Sequence, residues 1–486
     1  MKPRMFEDRS QTKETSLLNV LKKTLAAVFA IIAYLLVSAP LPSLARHVEN
    51  QSIPKETHKE STISIEVENA FLTGHREELS DVLSSSLLAN SSDETASGIR
   101  ILQSEKKEGS EEPGFFREIA DGFSSRITVV GFATVNGVVD DSTLNMNNRL
   151  DIPRYQAVLS PRPDFYLDFR RLELGIKPRW EVTWQKWEDG IKEGERETDD
   201  DLFVLEWLSR LRLHNTLFVS YGRENLQWGP AYLLSPSNPF NQNNGRNEPN
   251  VEVRGLDYGR LVWIPSSAWA ISAIANTDEG AADIEEFERT YALKLDYTGQ
   301  KKYLSLVPSY REEDKDRNIE DEFRFGFYGG LSIGEPLLVY GEGSISDKND
   351  ENEFLAGLAY TLEMGPTIAL EYFYQEDGCK SDPLALCFSG VTGDTRDILN
   401  RADPFLRQNY GLLQYNHSQI WDRLNINLRW IHGFDDQSDW VIGFFECELG
   451  NHTQVFFLGN SFLGDDDTEY GSFLDYSVTL GARFTF

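Results

Sequence analysis

Seven histidines, three cysteines and 78 carboxylates are the groups in this 486-residue chain that could do chemistry. The histidines are His47, His58, His75, His214, His417, His432 and His452. A hydrolytic site needs a nucleophile whose base is oriented by a third group. His417-Ser418 is an adjacent pair, but nothing in the sequence supplies that third group. Gly-rich phosphate loops, metal-spaced His/Cys sets and nucleophile elbows are absent from the sequence. No catalytic residue, cofactor or metal is expected, and the chain does not read as an enzyme. Asp465-Asp466-Asp467 is acidic enough to attract Ca²⁺, yet it lacks the regular spacing and glycine of a dedicated loop site. Cys379 and Cys387 stand eight apart and are candidates for a local disulfide in an oxidising exterior.

The elements that would position such groups are foreshadowed by composition. The formal net charge is −31, and aromatic residues make up 12% of the chain. An acidic excess of this size argues against nucleic-acid binding, which needs a basic face. Three cysteines exclude a disulfide-built scaffold, and a single apolar run excludes a polytopic helical membrane protein. That run, Thr24 to Ala39, follows a basic start and precedes Ser43-Leu44-Ala45. Residues 1–45 therefore read as a signal peptide. Residues 46–125 are polar and poor in aromatics, a disordered or short-helical N-terminal leader. Within it, Glu66 to Leu88 is weakly amphipathic, and Phe115, Phe116, Ile119 and Phe123 share one helical face.

From Arg126 the period is two. Leu474, Tyr476, Val478, Leu480, Ala482, Phe484 and Phe486 alternate with polar or small residues, so one face is apolar and the other wet. Phe323, Phe325, Phe327, Leu331 and Ile333 follow the same rule, as do Phe203, Leu205, Trp207, Leu211 and Leu213, and Leu424, Ile426, Leu428 and Trp430. Strands are expected to begin near residues 126, 164, 179, 201, 216, 254, 267, 288, 301, 322, 336, 353, 367, 407, 423, 439, 452 and 474. Every second connection is tight, the first at Lys177-Pro178. Those between are mostly longer and charged: 137–163, 189–200, 224–253, 278–287, 312–321, 347–352, 377–406, 434–438 and 461–473. Loop length segregated by parity is the mark of an all-β transmembrane antiparallel up-and-down barrel, here of 16–18 strands over 126–486. Trp180, Trp263, Trp269 and Trp421 fall near turns, with Trp187 and Trp440 at the opposite ends, as interfacial rings would. Cys447 falls on a strand and reads as a buried or lipid-facing apolar residue.

Alternation points a set of charges at the lumen: Asp168, Arg170, Glu206, Arg210, Arg212, Arg324, Glu342, Glu371, Arg429 and Arg483. Their signs are mixed. Five acidic segments in the longer connections (188–201, 278–288, 311–322, 347–353 and 461–471) together carry −23. Such a rim concentrates cations near the mouth and repels anions.

With its signal peptide, alternating last strand and terminal Phe486, the chain resembles Gram-negative outer-membrane β-barrels, porins above all. The stretch Arg223 to Phe240 (RENLQWGPAYLLSPSNPF) is similar to the Trp-Gly and Ser-Asn-Pro pattern of alginate-export and capsule-assembly lectin barrels. The resemblance implies residence in the cell outer membrane among lipid and lipopolysaccharide. It also implies insertion by the barrel-assembly machinery through Phe486, passage of small hydrophilic solutes or handling of polysaccharide, and the homotrimer common among porins. In porins the third long loop folds inward and narrows the pore. The resemblance gives that role to 224–253, with Gln227, Trp228, Asn238, Asn241, Asn243, Asn244, Arg246 and Glu248 as constriction candidates. An eighteen-strand ring encloses more volume than its wall side chains fill, and amides and charges on an inward loop would sort solutes by size and sign.

Overall fold

Period-two segments each have one apolar face, and in lipid every backbone N–H and C=O must find a partner within the protein. The computed structural model answers both demands by closing one sheet on itself. It describes residues 115–281, 289–313, 321–348, 351–363, 365–381, 383–388 and 405–486. The signal peptide, leader residues 46–114 with the 66–88 stretch, and His47, His58 and His75 lie outside the described residues.

A helix, α1 (Phe115–Gly122), leads directly into eighteen strands: β1 (Phe123–Val138), β2 (Tyr155–Phe169), β3 (Leu172–Lys186), β4 (Arg196–His214), β5 (Leu217–Glu224), β6 (Leu256–Ser266), β7 (Trp269–Asp278), β8 (Thr290–Thr298) and β9 (Lys302–Arg311), then β10 (Glu322–Ile333), β11 (Leu337–Ser346), β12 (Glu353–Thr361), β13 (Thr367–Gln375), β14 (Asn409–Ile420), β15 (Leu424–Gly433), β16 (Ser438–Glu448), β17 (Thr453–Leu463) and β18 (Leu474–Thr485). Each strand pairs antiparallel with its neighbours in sequence, and β1 closes the ring on β18, with Val129 opposite Phe484. Eight connections of two to five residues mark the α1 end; of the nine at the other end, eight have six residues or more and one, 434–437, is short.

The outer face is the apolar one. Leu358, Leu370 and Leu413 form an exposed row across β12–β14, and Leu293, Leu304, Leu331 and Leu428 continue the belt. Trp263, Trp269, Tyr360, Trp421 and Phe484 ring the turn end on the outside; Tyr291, Tyr310, Phe323, Phe354, Tyr372 and Trp430 ring the loop end. These are the two aromatic girdles of a barrel that crosses a bilayer. Cys447 shares the outer side of β16, since its neighbour Glu446 points inward toward Arg483.

The first hairpins depart from the sequence expectation. The first tight turn is at Arg170-Arg171, not Lys177-Pro178, with Arg170 left-handed (φ 61°) between the paired Phe169 and Leu172. Strand β2 starts at Tyr155, well before the expected 164. Pro161 and Pro163 look like breakers, but being two apart they aim their missing N–H groups at the same neighbour. The β2–β3 ladder lapses between Leu159 and Phe165, while β1–β2 pairing runs through. Lys177-Pro178 sits opposite a bulge in β4, whose extra residue is Leu205, and a proline is tolerated where the ladder is interrupted. The same bulge breaks the alternation of β4. Phe203, expected to face out, lies beneath the Arg254 guanidinium at 4.6 Å, and Leu205 is buried. Trp180 consequently stands toward the loop end of β3, and Trp187 and Trp440 are buried rather than interfacial.

Placing a cation in the outer belt tests this orientation. Leu370→Arg is expected to destabilise the barrel by about 2–4 kcal/mol in urea unfolding from phospholipid vesicles, the cost of a cation near the bilayer centre. An unchanged midpoint would show that Leu370 does not face lipid.

Candidate functional site

The 225–255 connection between β5 and β6 runs into the barrel. It has the composition to do so: asparagines and prolines that form rigid turns instead of a helix, and apolar residues that need covering. Leu233 and Leu234 are 0% exposed and pack with Tyr340, Leu355, Phe373, Tyr410 and Ile431 of the inner wall. Leu226 and Trp228 pack with Tyr258, Ile274, Val307 and Tyr328.

Three inward carboxylates on successive strands anchor it. Glu371 of β13 accepts the backbone N–H groups of Tyr232 (2.7 Å) and Leu233 (2.9 Å) and the Tyr340 hydroxyl (2.6 Å). Glu342 of β11 accepts the Ser235 hydroxyl (2.5 Å), the Ser237 hydroxyl (2.7 Å) and the Ser237 N–H (3.2 Å). Glu353 of β12 accepts the Gln242 amide at 2.9 and 3.1 Å. A buried carboxylate is tolerable only when several donors replace water, and the loop supplies them. Gly229 (φ +90°) is required here: a Cβ would lie 2.1 Å from Glu342 Oε2.

Elsewhere on the ring, Arg429 of β15 donates to Asn247 Oδ1 (2.5 Å), and Asn225 N–H donates to Glu206 of β4 (3.3 Å). Arg179 of β3 grips Glu252 through two bonds of 2.7 and 3.0 Å. Burial works against the Glu252 charge, but the hydrogen bond from Arg179 and the charge of Arg162 outweigh it and hold the carboxyl below its ordinary value. Glu248 has no such partner among the described residues, and the partial loss of water around its carboxyl pushes it up although its side chain is exposed. The loop's polar anchors thus lie on β11–β13 and β15 on one arc of the ring and on β3–β4 on another, and its apolar residues Leu226 and Trp228 pack against β6, β7, β9 and β10.

Of the constriction candidates, two serve the loop's own interior. Trp228 is 5% exposed and donates its Nε1–H to Ser237 O (3.1 Å); Asn238 is fully buried and donates to Leu226 O (2.8 Å). Gln227 donates to Asn225 Oδ1 and Asn243 O, Asn244 to Ala231 O, and Arg246 to Ala231 O while lying over the Tyr232 ring. Asn241 is half-buried and Glu248 is exposed.

Of the lumen candidates, Glu206, Arg210, Arg212, Arg324, Glu342, Glu371, Arg429 and Arg483 lie on strands and bond to inward partners. Arg210 and Arg212 share Glu173 (3.0 and 3.3 Å), Lys177 pairs with Glu206 (2.5 Å), and Arg483 donates to Gln454 (2.8 Å). Arg170 is the exception: it sits in the first turn and makes a two-bond pair with Glu118 of α1, both bonds 2.9 Å, which holds the Glu118 carboxyl below its ordinary value. That pair braces the helix at the turn rim. Asp168 is exposed on the same rim.

Neither sequence-flagged histidine meets a nucleophile among the described residues. His417 Nδ1 is bonded to the Tyr415 hydroxyl (3.1 Å), and His432 Nδ1 to Asp439 (2.7 Å). Cys379 is disulfide-bonded and Cys447 is free; the side chain of Cys387 lies outside the described residues.

A closed ring with a greasy exterior, two aromatic girdles and an inward loop leaves little latitude. The fold is that of an outer-membrane β-barrel. No family model matches the chain, and no curated protein does. Solved structures do match: OprD of Pseudomonas aeruginosa (8% identity, TM-score 0.49, 75% of this chain and 94% of that one), OpdD of the same organism (11%, 0.48, 75% and 98%), and a porin of Rhodopseudomonas blastica (10%, 0.37, 75% and 100%). At such identities and scores the likeness adds nothing to what the ring itself establishes.

Sequence reading missed a clasp among the loops beyond β13, β15 and β17. Arg407, fully buried, donates to Asp436 (2.9 Å), which also accepts the Glu469 N–H (2.8 Å). Glu469 accepts the Leu406 N–H (3.0 Å) and the Tyr410 hydroxyl (2.6 Å). Three charged residues scattered over 63 positions carry no spacing signal. Burial pushes the Glu469 carboxyl up to about 7, against the hydrogen bonds it accepts.

Two measurements follow from these anchors. Glu371→Ala strands two backbone N–H groups at a cost of about 1–3 kcal/mol, so trypsin cleavage after Arg246 is expected to accelerate roughly tenfold or more. Unchanged protection would show that the loop is held elsewhere. For the clasp, a carboxyl raised above its ordinary 4.5 favours the protonated folded state. Its stability is full at low pH and falls as pH rises through about 7. Exchange of the Leu406 N–H, corrected for intrinsic rate, is therefore expected to accelerate between about pH 5 and 8, and Glu469→Gln is expected to flatten the profile.

Proposed function

We propose that the chain is a porin-like channel for passive passage of small hydrophilic solutes, with 224–253 as its constriction. The observation that carries this reading is the pair of opposed anchorages of the loop. Carboxylates on β11–β13 hold one side, and Arg179 of β3 holds the other. A segment so tethered narrows the bore without depending on its own stiffness. The wall nearest Arg179 stays polar, carrying Arg162, Arg210, Arg212 and Arg260 with their paired carboxylates. Fixed charges of both signs along an aqueous path favour hydrated solutes over apolar ones. The glycan-platform reading of Arg223 to Phe240 is weakened by Trp228, whose ring is spent inside the loop instead of being offered to a sugar. The reading keeps Phe486, 74% exposed, as the assembly signal, and the acidic loops as the surface that meets lipopolysaccharide.

Planar-bilayer recording tests the channel. The full chain is expected to give discrete conductance steps. Excising 230–247 is expected to raise step size severalfold, because the excised residues include the Glu371 and Glu342 contacts. Absence of steps, or steps indifferent to the excision, would overturn the channel or the constriction respectively.

A further inference from the structure

The tip of the loop leaves a gap. Between Asn238–Gln242 and the inner faces of β8, β9 and β10 lies a cleft of about 300 Å³, at the small end of ligand sites. Phe240, Asn241, Ser309, Arg311, Glu322 and Arg324 are the lining residues that matter. The grip of Gln242 on Glu353 fixes the tip above it.

The ionised groups of the cleft are already paired. Arg311 Nη2 lies 2.8 Å from Glu322 Oε2. Arg324 Nε lies 3.0 Å from Glu322 Oε1, with Glu351 and Glu353 each at 3.5 Å. An incoming anion competes with Glu322, Glu351 and Glu353 for the two guanidiniums, and an incoming cation competes with the guanidiniums for Glu322, the one carboxylate of the lining; either has to break a pair to be bound. Hydroxyl groups need break nothing. A guanidinium has five donors and a carboxylate about four acceptor positions, so a single ion pair does not exhaust either kind of group. The Asn241 backbone N–H is directed at Asn238 Oδ1 (3.4 Å), while no hydrogen bond engages its side-chain amide among the described residues. Phe240 is clamped edge-on between Trp228 (5.9 Å) and Tyr258 (5.0 Å). A fixed ring beside amides and paired charges suits a molecule with a C–H face and a hydroxyl edge.

We propose that this cleft is a binding subsite for a neutral polyhydroxylated solute of one or two sugar rings. It rests on the channel reading, since it lies where a solute passing the constriction would dwell.

Isothermal titration of the full chain, purified in detergent, with maltose, glucose, glucuronate and glucosamine tests it. Maltose or glucose is expected to bind saturably, with glucuronate and glucosamine weaker by about tenfold or more. Asn241→Ala is expected to weaken sugar binding about fivefold, the worth of one or two hydrogen bonds. Asn241→Trp, which fills the cleft from the loop, and Ser309→Leu, which fills it from the wall, are expected to abolish binding. Absence of saturable sugar binding, equal binding of charged and neutral sugars, or indifference to both filling variants would overturn the subsite. Conductance of the same preparation without sugar separates the two claims. Steps without sugar binding leave the channel and refute the subsite; sugar binding without steps refutes the channel.

Discussion

A polypeptide crossing hydrocarbon has no water to satisfy its backbone, so each N–H and C=O must be paired within the fold. Everything else in this structure follows from how that demand is met. The first strand bonds to the last as well as to the second, with Val129 opposite both Phe484 and Pro161, and the sheet has no free edge. Closure at eighteen strands then creates a second problem, a bore wider than the wall side chains can fill.

The 225–255 segment addresses that problem, and it folds as part of the wall. Glu342, Glu353 and Glu371 would be costly as bare carboxylates on the inner face; the loop's serines, amides and backbone N–H groups satisfy them. In return the wall covers Leu233 and Leu234. Loop and strands therefore stabilise one another, and the interior becomes asymmetric. One arc is filled by apolar packing against β6–β16, and another keeps its arginines and their partners. An interior uniformly wet, as alternation alone implies, is not what forms.

Some of this was legible in the residues. Alternation in 474–486 identified an outward apolar face, and the parity of loop lengths identified a closed ring. The local errors share a cause. Lys177-Pro178 was read as a turn, and Pro161 and Pro163 fell in the expected 137–163 connection, because a proline's cost depends on where its missing N–H points, which is a property of the neighbouring strand. Phe203 was assigned to the wrong face because one bulge residue reverses the parity of every position beyond it. Trp228 and Asn238 were assigned to a pore lining because amide and aromatic residues look alike whether they serve a solute or a loop's own interior.

What the chain alone determined is periodic: which segments span, which faces meet lipid, and which rim bears the long acidic connections. Those are short-range properties, written in residues two apart. What only the tertiary structure decided is pairwise and distant: that Glu371 receives Tyr232 and Leu233, that Arg179 receives Glu252, and that Arg407, Asp436 and Glu469 meet at all. The partners in these contacts stand from 29 to 139 positions apart. No local pattern encodes such a meeting, because closing the ring is what brings the two ends of each contact within reach.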